Sequence, residues 1–384
     1  TIDWPALMRF KRTFTAPAAA KHEAAFEKVG IVTYHGSARF KSETSMIVTT
    51  GDTHDREVEC ELEAKHFVIA SGAEPVTLGI PGEEHVRTST DFLELDNLPP
   101  RIAFIGAGYI ALEFAHIVQC AGAQAIVLGR GAPLRQFDQD LVALLMTHSR
   151  SLGIDIHTGA DVVSVEKKAK GYRVHFATSA GSQIVDADLV VHGAGRIPKT
   201  KQLELSRANV TVDERGAVTV NEFLQSVSNA RVYAAGDCTL PPGSMPLTPV
   251  AAHEGIVVAS NLLHGNSKRP DYRGIPSVVF TVPPLAAVGV TAAEADRRGI
   301  SVRVKCEDTA NWFSNRRVME PAAMFKTVVE NGTDHILGAH LLGPDAPDLI
   351  NVFALAVRHG ITATELKRMI YAYPTSTSDV SYML

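Results

Sequence analysis

At 384 residues, with 45% hydrophobic and 21% charged positions, the chain has the composition of a globular protein and is too long for one hydrophobic core, so two or three domains are expected. A net charge of −5 supplies no field for nucleic acid or an anionic membrane, no run approaches the roughly 18 apolar residues of a membrane span, and no basic-then-apolar leader opens the chain. The cysteines, Cys60, Cys120, Cys238 and Cys306, stand apart without metal-ligand or disulfide spacing; a reducing cytoplasm and no metal site are therefore expected.

In chain order, residues 2–15 read as a helix; Thr1 is not an initiator Met, and a missing upstream segment is expected, with a processed terminus as the alternative. Short strands follow at Gly30–Tyr34, Ser45–Thr50, Arg56–Leu62 and Phe67–Ala70, ending at Ser71 and Gly72. Asp96–Pro100 is a short linker. Arg101–Glu113, RIAFIGAGYIALE, is a strand, a glycine turn and a helix opening in immediate succession. Gly106 permits the tight turn, Gly108 leaves the backbone open to a pyrophosphate, and Ala111 takes the place of the third glycine of a dinucleotide fingerprint. A second strand, Gln124–Leu128, follows the Gly122 stop.

The residue after that second strand decides the nucleotide. An acidic side chain there would bind the ribose 2'-hydroxyl of NAD, but the chain reads LGRGAPLRQFD. Arg130 and Arg135 stand where a 2'-phosphate lies, and a guanidinium suits a phosphate by charge and by its fork of donors. NADP is expected; the alternative is a pair of solvated arginines. A β-meander is expected around Asp161–Asp186. Val232–Asp237, VYAAGD, is an apolar strand ending in Gly236-Asp237, and a helix begins near Thr248, whose N-terminal amides would stabilise negative charge on a reduced flavin. Read alone, Gly-Asp after a strand is also an ordinary loop. Cys238 reads as a small packing residue, and His253 and Glu254 as surface positions of that helix. Strands at Met324–Val329 and Ile336–Leu342 and helices at Pro347–His359 and Thr364–Ile370 complete the chain.

Five landmarks, HFVIASGAEP, GAGYIALE, HGAGRIPKT, VYAAGDC with LTPVA, and PSVVFTVPPLAAVGVT, occur in the order of the pyridine nucleotide-disulfide oxidoreductases, the flavoprotein family of glutathione reductase, dihydrolipoamide dehydrogenase and mercuric reductase. The chain resembles that family over nearly its whole length. The resemblance implies an α/β protein with two Rossmann-like, three-layer FAD- and NAD(P)-binding domains and a C-terminal α+β dimerisation domain: residues 1–92 and 197–272 for FAD, 93–196 for NADP, 273–384 for the interface. It implies FAD and NADPH as cofactors and a homodimer whose active site is shared between subunits.

Residue by residue, Tyr109 resembles the tyrosine that covers the flavin, and Glu113 the glutamate that pairs with a lysine beside flavin N5. Gly195 and Arg196 resemble the Gly-Arg at the junction of the two cofactors, and Gly72 the glycine of the loop after the fourth strand. Gly236, Asp237 and Thr248 resemble ribityl and isoalloxazine contacts, and Ala38 an adenine-contacting strand end.

Two departures narrow the expected chemistry. The family's first glycine fingerprint and its C-x4-C disulfide have no counterpart in these 384 residues, and an upstream segment is expected to carry them. At the other end, where the resemblance places His-Pro-Thr and then Glu, Tyr373 replaces the histidine and Ser378 the glutamate. A phenol with pKa near 10 is a poor proton shuttle at neutral pH beside an imidazole near 6.5. The expected activity is therefore hydride transfer from NADPH through FAD to a disulfide, a metal, a quinone or another small acceptor. A mercuric reductase-like enzyme and a redox-silent NADP-binding or interaction protein that keeps the fold are the alternatives.

Overall fold

The computed structural model describes residues 2–51 and 57–384. The chain divides into two compact units, Thr1–Met8 with Thr77–Gly195 and Arg273–Leu384, and Arg9–Val76 with Arg196–Tyr272.

The first unit contains two sheets of different kinds. Arg101–Ile105 is one of the two inner strands of a parallel sheet whose order is Leu189–His192, Arg101–Ile105, Gln124–Gly129, Asp155–Thr158. Its strands are apolar on both faces because helices Tyr109–Cys120 and Gln139–Ser151 and the meander cover it. Phe92, Phe104 and Phe114 meet in its core, with Phe92 and Phe114 stacked at 4.3 Å. Trp4 joins them at the edge of Phe92 and donates its indole N–H to Leu95 O at 2.8 Å. Each such ring contributes roughly 1.5–3 kcal/mol by burial. The meander forms as Asp161–Lys167, Tyr172–Thr178 and Gly181–Ala187, three antiparallel strands.

The second sheet of this unit is antiparallel and five-stranded, in the order Ser277–Val279, Leu285–Gly289, Ile336–Leu342, Met324–Glu330, Val302–Asp308. The helix Ala346–His359 lays Leu349, Ile350 and Phe353 against it. Gly360, left-handed at φ +64°, ends that helix.

In the second unit, Ser37–Phe40, Ser45–Gly51 and Glu57–Glu63 form an antiparallel sheet; Arg56, expected to start the third of these strands, lies outside the described residues. Phe67–Ile69 pairs in parallel with Val232–Ala234, and Ala73–Pro75 pairs antiparallel with Arg196–Pro198. Thr248–His264 is the long helix, with proline in its first turn where the missing N–H costs nothing.

The strand expected at Gly30–Tyr34 does not form. Residues 31–35 are irregular, and the amides of Gly30 and Ile31 instead close the preceding helix on Glu27 O and Phe26 O. Ile31, Val32 and Tyr34 are exposed, so the apolar spacing that suggested a strand has no sheet to pair with among the described residues.

Candidate functional site

The glycine turn of the first unit follows from backbone geometry. Gly106 has φ +114°, and a Cβ there would lie 2.3 Å from Gly193 O, so only glycine fits. Its N–H donates to Leu128 O at 2.8 Å, while Gly193 N–H donates to Ile105 O at 2.7 Å. Ala111, fully buried in the helix, explains the strand-end glycine opposite: a Cβ on Gly193 would come within 2.9 Å of the Ala111 Cβ. Gly108 differs. Its φ of −84° suits any residue, and the nearest atom to a Cβ would be 3.8 Å away. The fold does not require that glycine, so its smallness serves the open space before the helix, where the first-turn amides lack helical partners. That combination fits a dinucleotide pyrophosphate.

Arg130 and Arg135 are both exposed on the loop after Gln124–Gly129, and Arg130 reaches Asp161 only at 4.0 Å, between two exposed side chains. Both guanidiniums thus remain accessible to an anion. Tyr109 is 42% exposed at the start of the helix. One turn on, the Glu113 carboxylate accepts the Phe280 N–H at 2.8 Å, and burial raises its pKa despite that hydrogen bond.

His116, on the same helix and 1% exposed, was not legible as a functional or structural residue from the sequence. Its Nδ1 accepts the Val282 N–H at 3.2 Å. Its Nε2 lies 3.0 Å from Ser149 Oγ, whose own proton goes to Leu145 O. The network assigns a neutral imidazole protonated at Nε2, in keeping with a pKa lowered to about 4 by burial and by the neighbouring His148.

In the second unit, Gly72 turns the chain at φ +69° between two strands, and its carbonyl accepts the Lys199 N–H at 2.9 Å. Ser71 Oγ is buried without a partner among the described residues. Arg196 donates to Ala73 O; Gly195, which precedes it, belongs to the first unit and has φ +123°. Ala38 is half-buried in Ser37–Phe40. Gly236, at φ +75°, opens a short 3-10 turn carrying Asp237, which is half-buried, and Cys238. The Cys238 thiol is buried and within 3.2 Å of Ile69 O, and burial raises its pKa, which makes it the packing residue expected. Thr248 is exposed at the first position of its helix. An orphaned hydroxyl beside a left-handed glycine, and a carboxylate in a tight turn, are donor and acceptor sets suited to the polar chain of FAD.

The surface reading of Glu254 is overturned. Glu254 is fully buried; Oε2 accepts the Gly236 N–H at 2.7 Å, and Oε1 accepts Ser244 Oγ–H at 2.8 Å and the Tyr272 hydroxyl at 2.7 Å. It is the post on which the Gly236-Asp237 turn rests. His253 is half-buried and its Nε2 accepts the Asp271 N–H at 3.0 Å. Adjacent residues on a helix face different ways, and composition alone does not say which way is inward.

At the chain end Tyr373 is 84% exposed, Ser378 donates to Thr375 O, and Asp379 accepts from Ser314 Oγ with its pKa raised by burial. Ile370 is 99% and Met369 54% exposed a few residues earlier in the chain. No helix among the described residues is long and apolar enough to cross a membrane.

Comparison with known proteins gives a consistent family. The pyridine nucleotide-disulphide oxidoreductase profile matches residues 7–255, and the dimerisation domain of that family matches residues 275–383. A glutathione reductase of Burkholderia cepacia is 31% identical over 374 residues, 97% of this chain and 80% of that one. An uncharacterized 19.7 kDa protein in the mercuric resistance operon of Staphylococcus aureus is 50% identical over 182 residues, 47% of this chain and all of that one. Among solved structures, the HOCl-induced flavoprotein disulfide reductase RclA from Escherichia coli superposes with a TM-score of 0.89 at 26% identity, covering 99% of this chain and 85% of that one.

Proposed function

The chain belongs to the pyridine nucleotide-disulphide oxidoreductases, an FAD- and pyridine nucleotide-dependent family of enzymes, and from that premise we propose that it is an NADPH-dependent flavoprotein oxidoreductase acting on a small acceptor. The observation that carries the choice of NADPH is the pair of exposed guanidiniums, Arg130 and Arg135, on a loop with no acidic residue at the ribose position. A charge-assisted contact to a phosphate is worth about 1.5–3 kcal/mol. In this reading the open turn at Gly106, Gly108 and Ala111 takes the pyrophosphate. FAD, when bound, supplies the two-electron link between nicotinamide and acceptor. Ala38, Gly72, Gly195, Arg196, Gly236, Asp237 and Thr248 would hold it, with Tyr109 and Glu113 beside it. The second unit, residues 9–76 and 196–272, would form the FAD part, the parallel sheet of the first unit the NADP part, and residues 273–384 the interface.

Tyr373 favours an acceptor that needs no imidazole at that position, and its phenol would serve the partner subunit of a homodimer. The test is direct. Protein loaded with FAD should show flavin absorbance and oxidise NADPH with a disulfide, a quinone or Hg(II); absence of both the absorbance and the oxidation would leave a redox-silent NADP-binding protein. Arg130→Ala with Arg135→Ala should raise KM for NADPH at least about tenfold with little change for NADH. Equal effects on the two cofactors would refute the assignment.

A further inference from the structure

The loop that bears Arg130 and Arg135 is fixed from outside its own sheet. At one end Leu134, 1% exposed and held at φ +41°, donates its N–H to Ala107 O at 3.1 Å, inside the glycine turn itself. Phe137, also buried, donates to Leu134 O at 2.8 Å. At the other end Asp138 caps the helix Gln139–Ser151 by accepting the Asp140 N–H at 3.1 Å. The Asp138 carboxylate is itself 7% exposed, a cost met by Lys326, whose Nζ lies 2.7 and 2.8 Å from its two oxygens and 2.5 Å from Asp140 Oδ2. Lys326 is also 7% exposed and belongs to Met324–Glu330 of the antiparallel sheet.

We propose that Lys326 is a positioning residue for recognition of the 2'-phosphate: it holds Asp138, and through it the arc from Leu134 to Asp138, so that Arg135 is presented from a fixed backbone. This deepens the NADPH reading and rests on it. Long exposed arginines lose side-chain freedom when they bind a phosphate, and a backbone already fixed limits that loss to the side chain. A loop released at Asp138 keeps its charge but loses its placement, and small displacements of a charge-assisted contact are costly. A pair serving only to join the two sheets would act on every nucleotide alike.

The test is calorimetric binding of adenosine 2',5'-bisphosphate and of 5'-AMP to the full chain. In Lys326→Met with Asp138→Asn, which leaves no unpaired buried charge and keeps an oxygen for the helix cap, the Kd of the bisphosphate should rise about fivefold or more while that of 5'-AMP moves less than about twofold. Lys326→Arg should restore most of the difference. If the double variant does not fold, Asp140→Asn, which removes the exposed member of the cluster, should give the same split on a smaller scale. Equal weakening of both ligands, or no change in either, overturns the positioning role, provided Arg130→Ala with Arg135→Ala has abolished the preference for the 2'-phosphate. If that arginine pair keeps the preference, the NADPH reading falls, and this proposal with it.

Discussion

Replacing Glu254 tests whether the Gly236-Asp237 turn depends on a buried post. Glu254→Ala removes an acceptor from three donors at once: the Gly236 N–H at 2.7 Å, the Ser244 hydroxyl at 2.8 Å and the Tyr272 hydroxyl at 2.7 Å. A buried donor left unsatisfied costs about 1–3 kcal/mol. Ser244 and Tyr272 are half-buried and recover part of their loss from water, so the whole change should destabilise by about 3–5 kcal/mol. Glu254→Gln should cost only about 1–2 kcal/mol, because its amide oxygen can still face Gly236 N–H while its NH2 donates to hydroxyl oxygens that are free to accept. Urea unfolding followed by fluorescence measures both; at a slope of about 3 kcal/mol/M the alanine variant should lose roughly 1–1.7 M in midpoint. The same variant should release FAD at lower denaturant than wild type, because Asp237 follows Gly236 directly. An alanine variant within about 0.3 M of wild type, or one no worse than the glutamine variant, would refute the account of Glu254 as the support of that turn.

Protonation of His116 is expected to weaken the fold in acid. Its pKa is about 4 in the folded chain against 6.5 when exposed, so the stability it contributes is complete above pH 6.5 and is lost as pH falls from 6.5 to about 4, by about 3 kcal/mol in all. His116→Asn, whose Oδ1 can replace Nδ1 as acceptor for Val282, should flatten that slope in a pH series of unfolding curves, and an unchanged slope would count against it. Gly106→Ala and Gly108→Ala should separate fold from function. The first, with a Cβ 2.3 Å from Gly193 O, should destabilise by about 3 kcal/mol or more. The second, with no atom nearer than 3.8 Å, should keep the melting temperature but raise KM for NADPH about tenfold or more; the opposite pattern would undo the reading of the turn. Ile370→Glu, at a side chain 99% exposed and close in the chain to Met369 and Tyr373, should weaken a two-fold dimer about 100-fold or more, since each copy loses roughly 1.5–3 kcal/mol of apolar burial. Sedimentation velocity reads that directly, and a dimer as tight as wild type would place the interface elsewhere.

What could be read from the residues alone was what local backbone chemistry dictates. The Arg101–Glu113 turn was legible because glycine spacing between an apolar strand and a helix opening is a local signal, and the meander after Asp161 and the helix from Thr248 stand where they were expected. The strand expected at Gly30–Tyr34 failed for the complementary reason: alternation reports a half-buried ribbon only when a neighbouring strand exists, and that is a tertiary fact. Glu254, His116 and Lys326 were missed on the same ground. Each is a polar residue made interior by partners far away in sequence, from ten residues for Ser244 to 188 for Asp138.

Two of those missed residues, His116 and Lys326, share with Glu113 a role that links fold to site within the first unit. Glu113 and His116, one turn apart on the helix that opens at the glycine turn, accept the amides of Phe280 and Val282. Lys326 reaches the same face of the nucleotide sheet, at the end of the arginine loop where the helix Gln139–Ser151 begins. The parallel sheet therefore has its pyrophosphate turn and its arginine loop each tied by hydrogen bonds to segments of the antiparallel sheet's domain. A dinucleotide site built only on loops after strands would be free to breathe, since loops lack the packing that fixes helices and strands. Here the two loops take their rigidity from a second sheet, so substitutions at Glu113, His116 or Lys326 should alter nucleotide affinity through placement rather than by direct contact. A fourfold or larger change in NADPH binding from His116→Leu, which removes the buried acceptor of the Val282 N–H, would be the sharpest sign that the tie is mechanical.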